Sequence, residues 1–379
     1  MTRAYHTYQR VFVCPCIFAL IEVVGFSRRD NNYGGFTVKK ALSIILTIVM
    51  LTGCLSACSF GSRKPAADSG RFQIVTTIFP EYDWVMNILG DNPANADVTM
   101  LLDNGADLHS FQPTAADILR ISNCDLFIYV GGESDRWVND ALKQTTNKDM
   151  IVINLLDVLG DAVKEEEAVP GMQEEEHEHE HEEGEDAQEE DHDHEEGEAE
   201  YDEHVWLSLR NAAVLVSSIS EAVRKIDSDN AETYKKNAAA YIEKLNALDA
   251  KYQTAVSAAS ARTLLFGDRF PFRYLADDYG LSCYAAFSGC SAETEASFET
   301  ITFLAQKVDE LSLPAVITIE GTDHRIAETI VKNTQMKDQQ ILTMDSMQSV
   351  TAKDAANGAA YLSIMEKNLS VLKDALKQQ

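Results

Sequence analysis

From Phe72 onward, short runs rich in β-branched and aromatic residues alternate with longer helix-forming stretches, and this alternation restricts the fold more than any other feature. Residues 72–78, 98–102, 125–130 and 150–153 read as strands. Between them lie the helical stretch 80–89 and a helix opened by Pro113, with Thr114 and Asp117 as its capping pair. Strand, helix, strand in that order is the signature of a parallel sheet, which needs cover on both faces. Residues 211–257 then run poor in Gly and Pro and rich in Ala, Leu, Glu and Lys, which predicts one or two long helices. The alternation resumes at 263–266, 281–284, 315–319 and 340–343. The expected fold is α/β: two (β/α) lobes with parallel sheets, joined by a long backbone helix, with a cleft between them. In open parallel sheets ligands collect at the carboxyl ends of strands, so the polar residues just after each strand are where chemistry belongs.

The segment ahead of Phe72 reads as an export address. Lys39 and Lys40 precede an apolar run at 41–51 that suits a signal peptide better than a membrane span. The run ends in Leu51-Thr52-Gly53-Cys54 and again in Leu55-Ser56-Ala57-Cys58; both resemble the bacterial lipobox, in which the cysteine becomes the lipidated N-terminus. Residues 1–37 fit no signal peptide and are expected to be an extension or a mis-set start ahead of Val38. The expected layout is therefore an extension at 1–37, a lipoprotein signal peptide at 38–57, a tether at 58–71 and an N-terminal lobe at 72–160. An acidic His-rich loop at 161–203, a linking helix at 204–258 and a C-terminal lobe at 259–379 follow. The expected location is the extracytoplasmic face of the cell membrane, held by a lipid anchor. Export makes a Cys283–Cys290 disulfide one expectation and two reduced core thiols the other.

Charge is concentrated rather than spread. Of 61 acidic residues, against 32 basic ones and a net charge of −29, nineteen fall between Gln173 and His204, with six of the nine histidines and no Lys or Arg. Such a balance repels phosphate backbones, so nucleic acid is not an expected partner. His177, His179 and His181 interleave with Glu, and His192 and His194 with Asp. Alternate residues of an extended chain face one side, so this strip is expected to gather cations weakly and reversibly; the plainer reading is a solvated acidic loop.

Three further groups suit a divalent cation. His109 lies between a strand and a helix start, His204 lies where the acidic segment meets the long helix, and Asp345 follows the last strand. Two imidazoles and a carboxylate match the borderline softness of zinc. Here the sequence becomes specific. Residues 105–114, Gly-Ala-Asp-Leu-His-Ser-Phe-Gln-Pro-Thr, resemble the G-x-x-x-H-x-[FY]-x-P-[ST] loop of the metal-binding lipoproteins that feed zinc or manganese ABC importers. Residues 202–208 are similar to the D-x-H-x-W-L-[SD] motif of the same family, and an acidic His-rich loop just before it is typical of the ZnuA-like zinc members. The resemblance implies two lobes around a rigid helix, Zn²⁺ as the bound ion and an ABC permease with its ATPase as partners. It implies a monomer without enzymatic activity, in which His109 and His204 are the first two ligands and Asp345 a carboxylate ligand.

The chain departs from the family pattern in two places. Leu209 stands where a Pro is usual. The third ligand, a His or Glu five residues before a Tyr, is replaced by Arg269, which cannot bind a cation. Asp268 is the expected substitute if the backbone shifts by one residue; pairing of Asp268 with Arg269 or Arg273 is the alternative. His324 is a weaker candidate for the vacancy. Other functional readings are a manganese-binding paralogue, a surface adhesin or zinc buffer, and a zinc hydrolase. The absence of H-E-x-x-H and G-x-S-x-G motifs disfavours the last.

Overall fold

The structure, a computed structural model, describes residues 70–379 apart from 92–94, 104, 106, 167, 174–200, 292–294 and 378–379. The proposed signal peptide with Cys54 and Cys58, and the histidines His177, His179, His181, His192 and His194, lie outside the described residues.

Strand β1 (Phe72–Thr76), helix α1 (Phe79–Leu89), β2 (Ala96–Met100), α2 (Ala115–Asn123), β3 (Leu126–Tyr129), α3 (Val138–Lys143), β4 (Ile151–Asn154) and α4 (Leu155–Leu159) build the first lobe. Its strands pair in the order β2-β1-β3-β4, every pair parallel. Two helices, α5 (Leu209–Ile226) and α6 (Ala231–Ala258), follow. The second lobe contains β5 (Thr263–Phe270), α7 (Arg273–Tyr279), β6 (Ser282–Ser288), α8 (Phe298–Leu311), β7 (Ala315–Ile319), α9 (Arg325–Asn333), β8 (Gln340–Met344), α10 (Ala352–Ala356) and α11 (Tyr361–Ala375). Its order, β6-β5-β7-β8, repeats the first, again parallel throughout. In each sheet the first strand in sequence lies between the second and third. Connections therefore leave it in opposite directions, which opens a crevice at the carboxyl ends.

Local chemistry explains where these elements start and stop. At the head of α2 the Thr114 hydroxyl accepts from Asp117 N while Asp117 Oδ2 accepts from Thr114 N at 2.9 Å, the reciprocal cap expected from the sequence. Between α5 and α6, Asp227 Oδ2 accepts from Tyr234 Oη at 2.6 Å and from Asn230 Nδ2 at 2.8 Å, which turns the chain. The linking element is thus two helices, and the second, at 28 residues, is about 42 Å long. It spans the molecule: Tyr241 Oη donates to Asp83 on α1 at 2.9 Å, and Tyr252 Oη donates to the Met365 carbonyl on α11 at 2.6 Å.

Strand alternation sorts the core of the second lobe. Leu264 and Phe266 join the main apolar core, while Leu265 turns to the opposite face and packs with Leu304, Val308, Ala327 and Ile330 from α8 and α9. Among the described residues no helix is long and apolar enough to cross a membrane.

Candidate metal centre

His109 sits in a short 3₁₀ turn, Leu108–Ser110, inside the β2–α2 connection. Leu108 is buried beneath it, and the Asp107 carboxylate accepts from His109 N at 3.1 Å, fixing the backbone of the turn. The ring is held from behind: Nδ1 lies 2.8 Å from Ser134 Oγ and 3.4 Å from Glu203 Oε2. Ser134 follows β3 after Gly131 and Gly132, both at positive φ, and a Cβ on Gly132 would lie 2.4 Å from Glu203 Oε1. Glycine is required there so that the loop can lie against Glu203; Ser134 N then donates to Glu203 Oε1 at 2.8 Å.

His204 is fully buried at the entrance to the 3₁₀ turn Val205–Leu207. One oxygen, Asp202 Oδ1, accepts from His204 N at 2.9 Å and from Nδ1 at 3.0 Å. The segment is bolted down on both sides. Tyr274 Oη donates to the Asp202 carbonyl, Tyr361 Oη donates to the Trp206 carbonyl, and Trp206 Nε1 donates to the Ser346 carbonyl, at 2.8, 2.6 and 2.8 Å.

The oxygen partners of each Nδ1 favour the tautomer protonated there, which leaves each Nε2 with a lone pair. The two Nε2 atoms, from residues 95 apart in sequence, lie 3.2 Å from one another. Two nitrogens bound to one tetrahedral zinc at about 2.0–2.1 Å stand roughly 3.3 Å apart. The pair therefore already has the spacing of two zinc ligands, and an intervening cation relieves the opposition of their lone pairs.

The surrounding charges favour a cation. Burial raises the Glu203 carboxyl, but the His109 imidazole and Ser134 more than reverse this and hold it below the usual range. Burial acts likewise on Asp107 and is outweighed by the Arg269 guanidinium, then by His109. Burial disfavours protonated His204, yet the Asp202 carboxylate more than offsets this and raises its pKa above the usual imidazole value. Each imidazole thus has a carboxylate behind it, the arrangement that orients metal-ligating histidines and strengthens them as donors.

The remaining sequence candidates lie elsewhere. The strand expected at 263–266 continues to Phe270, so Asp268 and Arg269 are neighbours on β5 and point to opposite faces. Asp268 Oδ2 accepts from Ile319 N at 3.2 Å and from Thr322 Oγ1 at 2.8 Å. Arg269 points the other way and binds Asp107 at 2.8 Å. Asp268 thus faces Ile319 and Thr322, whereas Arg269 reaches the turn that carries His109 through Asp107. Asp345 accepts from Met347 N at 2.8 Å within the loop after β8, and burial raises its carboxyl. His324 starts α9 with φ +59°. Among the described residues the one gathered set of three metal-type side chains is His109, His204 and Cys290, with one donor atom of each within 4.8 Å of the others; Asp268, Asp345 and His324 are not in it.

Cys290, Glu203, Ser134 and Gln348 were not singled out as site residues from sequence. Gln348 Nε2 lies 3.3 Å from His204 Nε2. Cys290 carried a usable signal, since it stands two residues after a strand end, and Cys283 and Cys290 are both free thiols.

Comparison with known proteins identifies the family. The family model described as zinc-uptake complex component A, periplasmic (ZnuA) matches residues 74–375. The zinc-binding lipoprotein AdcA of Streptococcus pneumoniae is 33% identical over 325 residues, covering 86% of this chain but 59% of its own length. The chain thus spans somewhat more than half of that relative. The high-affinity zinc uptake system protein ZnuA of Bacillus subtilis is 30% identical over 324 residues, covering 85% of this chain and 93% of its own. Among solved structures, the Zn(II)-bound ZnuA-like domain of S. pneumoniae AdcA superimposes with a TM-score of 0.61 at 30% identity, covering 82% of this chain and all of the domain.

Proposed function

The chain belongs to the ZnuA family of zinc-uptake components, and from that premise we propose that it is an extracytoplasmic solute-binding lipoprotein that captures Zn²⁺ in its cleft and delivers it to an ABC-type importer. The observation that carries the reading is the meeting of two imidazoles, each with Nδ1 held by acceptors, at a spacing that suits one zinc ion. His109 and His204 are the ligands proposed. Glu203 and Asp202 orient them, and Asp107 adds negative charge to the same cleft.

No covalent step is involved. The ion is cargo, and a permease with its ATPase supplies passage and energy. Cys54 or Cys58 provides the lipid anchor, and the acidic histidine strip collects zinc at the surface before it reaches the cleft.

Calorimetric titration of the metal-free protein tests the reading. Wild type is expected to show one tight zinc site above a background of weak ones, and His109→Ala or His204→Ala to abolish the tight site alone. Retention of that site in either variant would contradict the proposal.

A further inference from the structure

We propose that Cys290 supplies a thiolate to the captured cation, completing a His109, His204 and Cys290 donor set that favours zinc-class ions over manganese. This deepens the capture reading above and rests on it.

The fold brings the thiol there by a close approach. Gly289 lies against the His204 ring: a Cβ at this position would be 2.9 Å from His204 Cε1 and 3.0 Å from the Phe270 carbonyl oxygen. Only a residue without a side chain lets the β6–α8 loop pass so near the imidazole, and the next residue is Cys290. The loop is fastened on either side. Cys290 N donates to Glu166 Oε1 at 3.4 Å, and Arg269 Nη1 donates to the Ser291 carbonyl at 3.5 Å while its Nη2 holds Asp107. One guanidinium thereby ties the turn that carries His109 to the loop that carries Cys290.

A second observation points to a ligand at the same place. Gln348 is 6% exposed, its Nε2 contacts His204 Nε2, and its Oε1 has no hydrogen-bond partner among the described residues. A buried amide whose oxygen is left unpaired, on a side chain that touches His204, is the kind of group that a bound ion satisfies.

The plainer account makes Cys290 a core thiol. Cys124 fits that account, with its Sγ donating to the Ile121 carbonyl and no exposure, and Cys283 lies within β6. Of the three described cysteines, Cys290 alone joins a set of metal-type donors. On binding, the S–H bond breaks, its proton passes to the buffer and an S–Zn bond forms. Thiolate is a soft donor suited to zinc, whereas manganese favours carboxylate, carbonyl and water.

Cobalt(II) binding to the purified full mature chain under reducing conditions tests this, because carboxylate and histidine sites produce no thiolate-to-cobalt charge-transfer band. The band is expected in wild type and in Cys283→Ser and is expected to vanish in Cys290→Ser. That variant should also lose at least about tenfold in zinc affinity and show a narrower preference for zinc over manganese. If Cys290→Ser fails to fold, alkylation of Cys290 in wild type, mapped by mass spectrometry, is expected to slow markedly with zinc; an unchanged rate overturns the proposal. Cobalt bound in a His109-dependent way without the band overturns the thiolate ligand and leaves zinc capture intact. Absence of any His109-dependent binding defeats both.

Discussion

Asp202 illustrates how much one side chain decides. Its single oxygen receives both the backbone and the ring N–H of His204, which sets the tautomer and the ring angle together. Orienting carboxylates of this kind typically contribute 10–100-fold to metal affinity. Asp202→Ala is therefore expected to weaken zinc binding by about that factor while far-ultraviolet circular dichroism stays unchanged; equal affinity in a titration would show that the carboxylate does not orient the ligand. At this scale the sequence was partly legible. His109 and His204 stood in recognisable motifs because each sits in a short local turn spelled by a few neighbouring residues. The length of β5 was less legible: Gly267 and Asp268 interrupt its apolar stretch, yet Arg269 and Phe270 still pair with Phe287 and Ser288 across a register shift. Cys290 offered only its place just after a strand end; its meeting with residues 109 and 204 is a relation that no local spacing encodes.

Among the elements, the start of α1 carries a pH-sensitive group outside the metal centre. Glu81 is fully buried and accepts from Thr77 N at 2.8 Å and Ile78 N at 3.3 Å, and burial pushes its carboxyl up to about 8 despite these bonds. A carboxyl whose folded pKa exceeds its unfolded value binds more protons folded than unfolded, so its stabilising contribution is present at low pH. That contribution fades between the ordinary 4.5 and about 8. Glu81→Gln should remove this dependence, by an amount on the order of a few kcal/mol across that interval. Urea melts of both metal-free proteins at pH 5 and pH 8 check it, and parallel changes in the two would contradict the assignment. Elements were the most readable level: all eight strands among the described residues fell where β-branched runs predicted them. The break at Asp227, which divides the linking region into two helices, was left open because Asp, Ser and Asn suit both a helix end and an exposed helix face.

For the molecule as a whole, both sheets repeat one strand order, and α6 is the strut between α1 and α11. Zinc bound across segments that meet only in the folded state stabilises that state by mass action. A zinc concentration 100 times the dissociation constant is expected to add about 2.7 kcal/mol and to raise Tm in wild type. His204→Ala should show little of this rise, and an equal rise in that variant would place the stabilising ion elsewhere. Deleting residues 173–200 is expected to lower zinc stoichiometry while one tight site remains; unchanged stoichiometry would remove the collecting role from the acidic strip. The two-lobe architecture was legible because strand–helix alternation repeats eight times, whereas the contacts that close the cleft are long-range and appear only in three dimensions. The most direct test of the central claim is an anomalous difference map at the zinc edge from crystals grown with one equivalent of zinc. A single strong peak about 2.0–2.1 Å from both His109 Nε2 and His204 Nε2 is predicted; a principal peak bound to neither imidazole would contradict it.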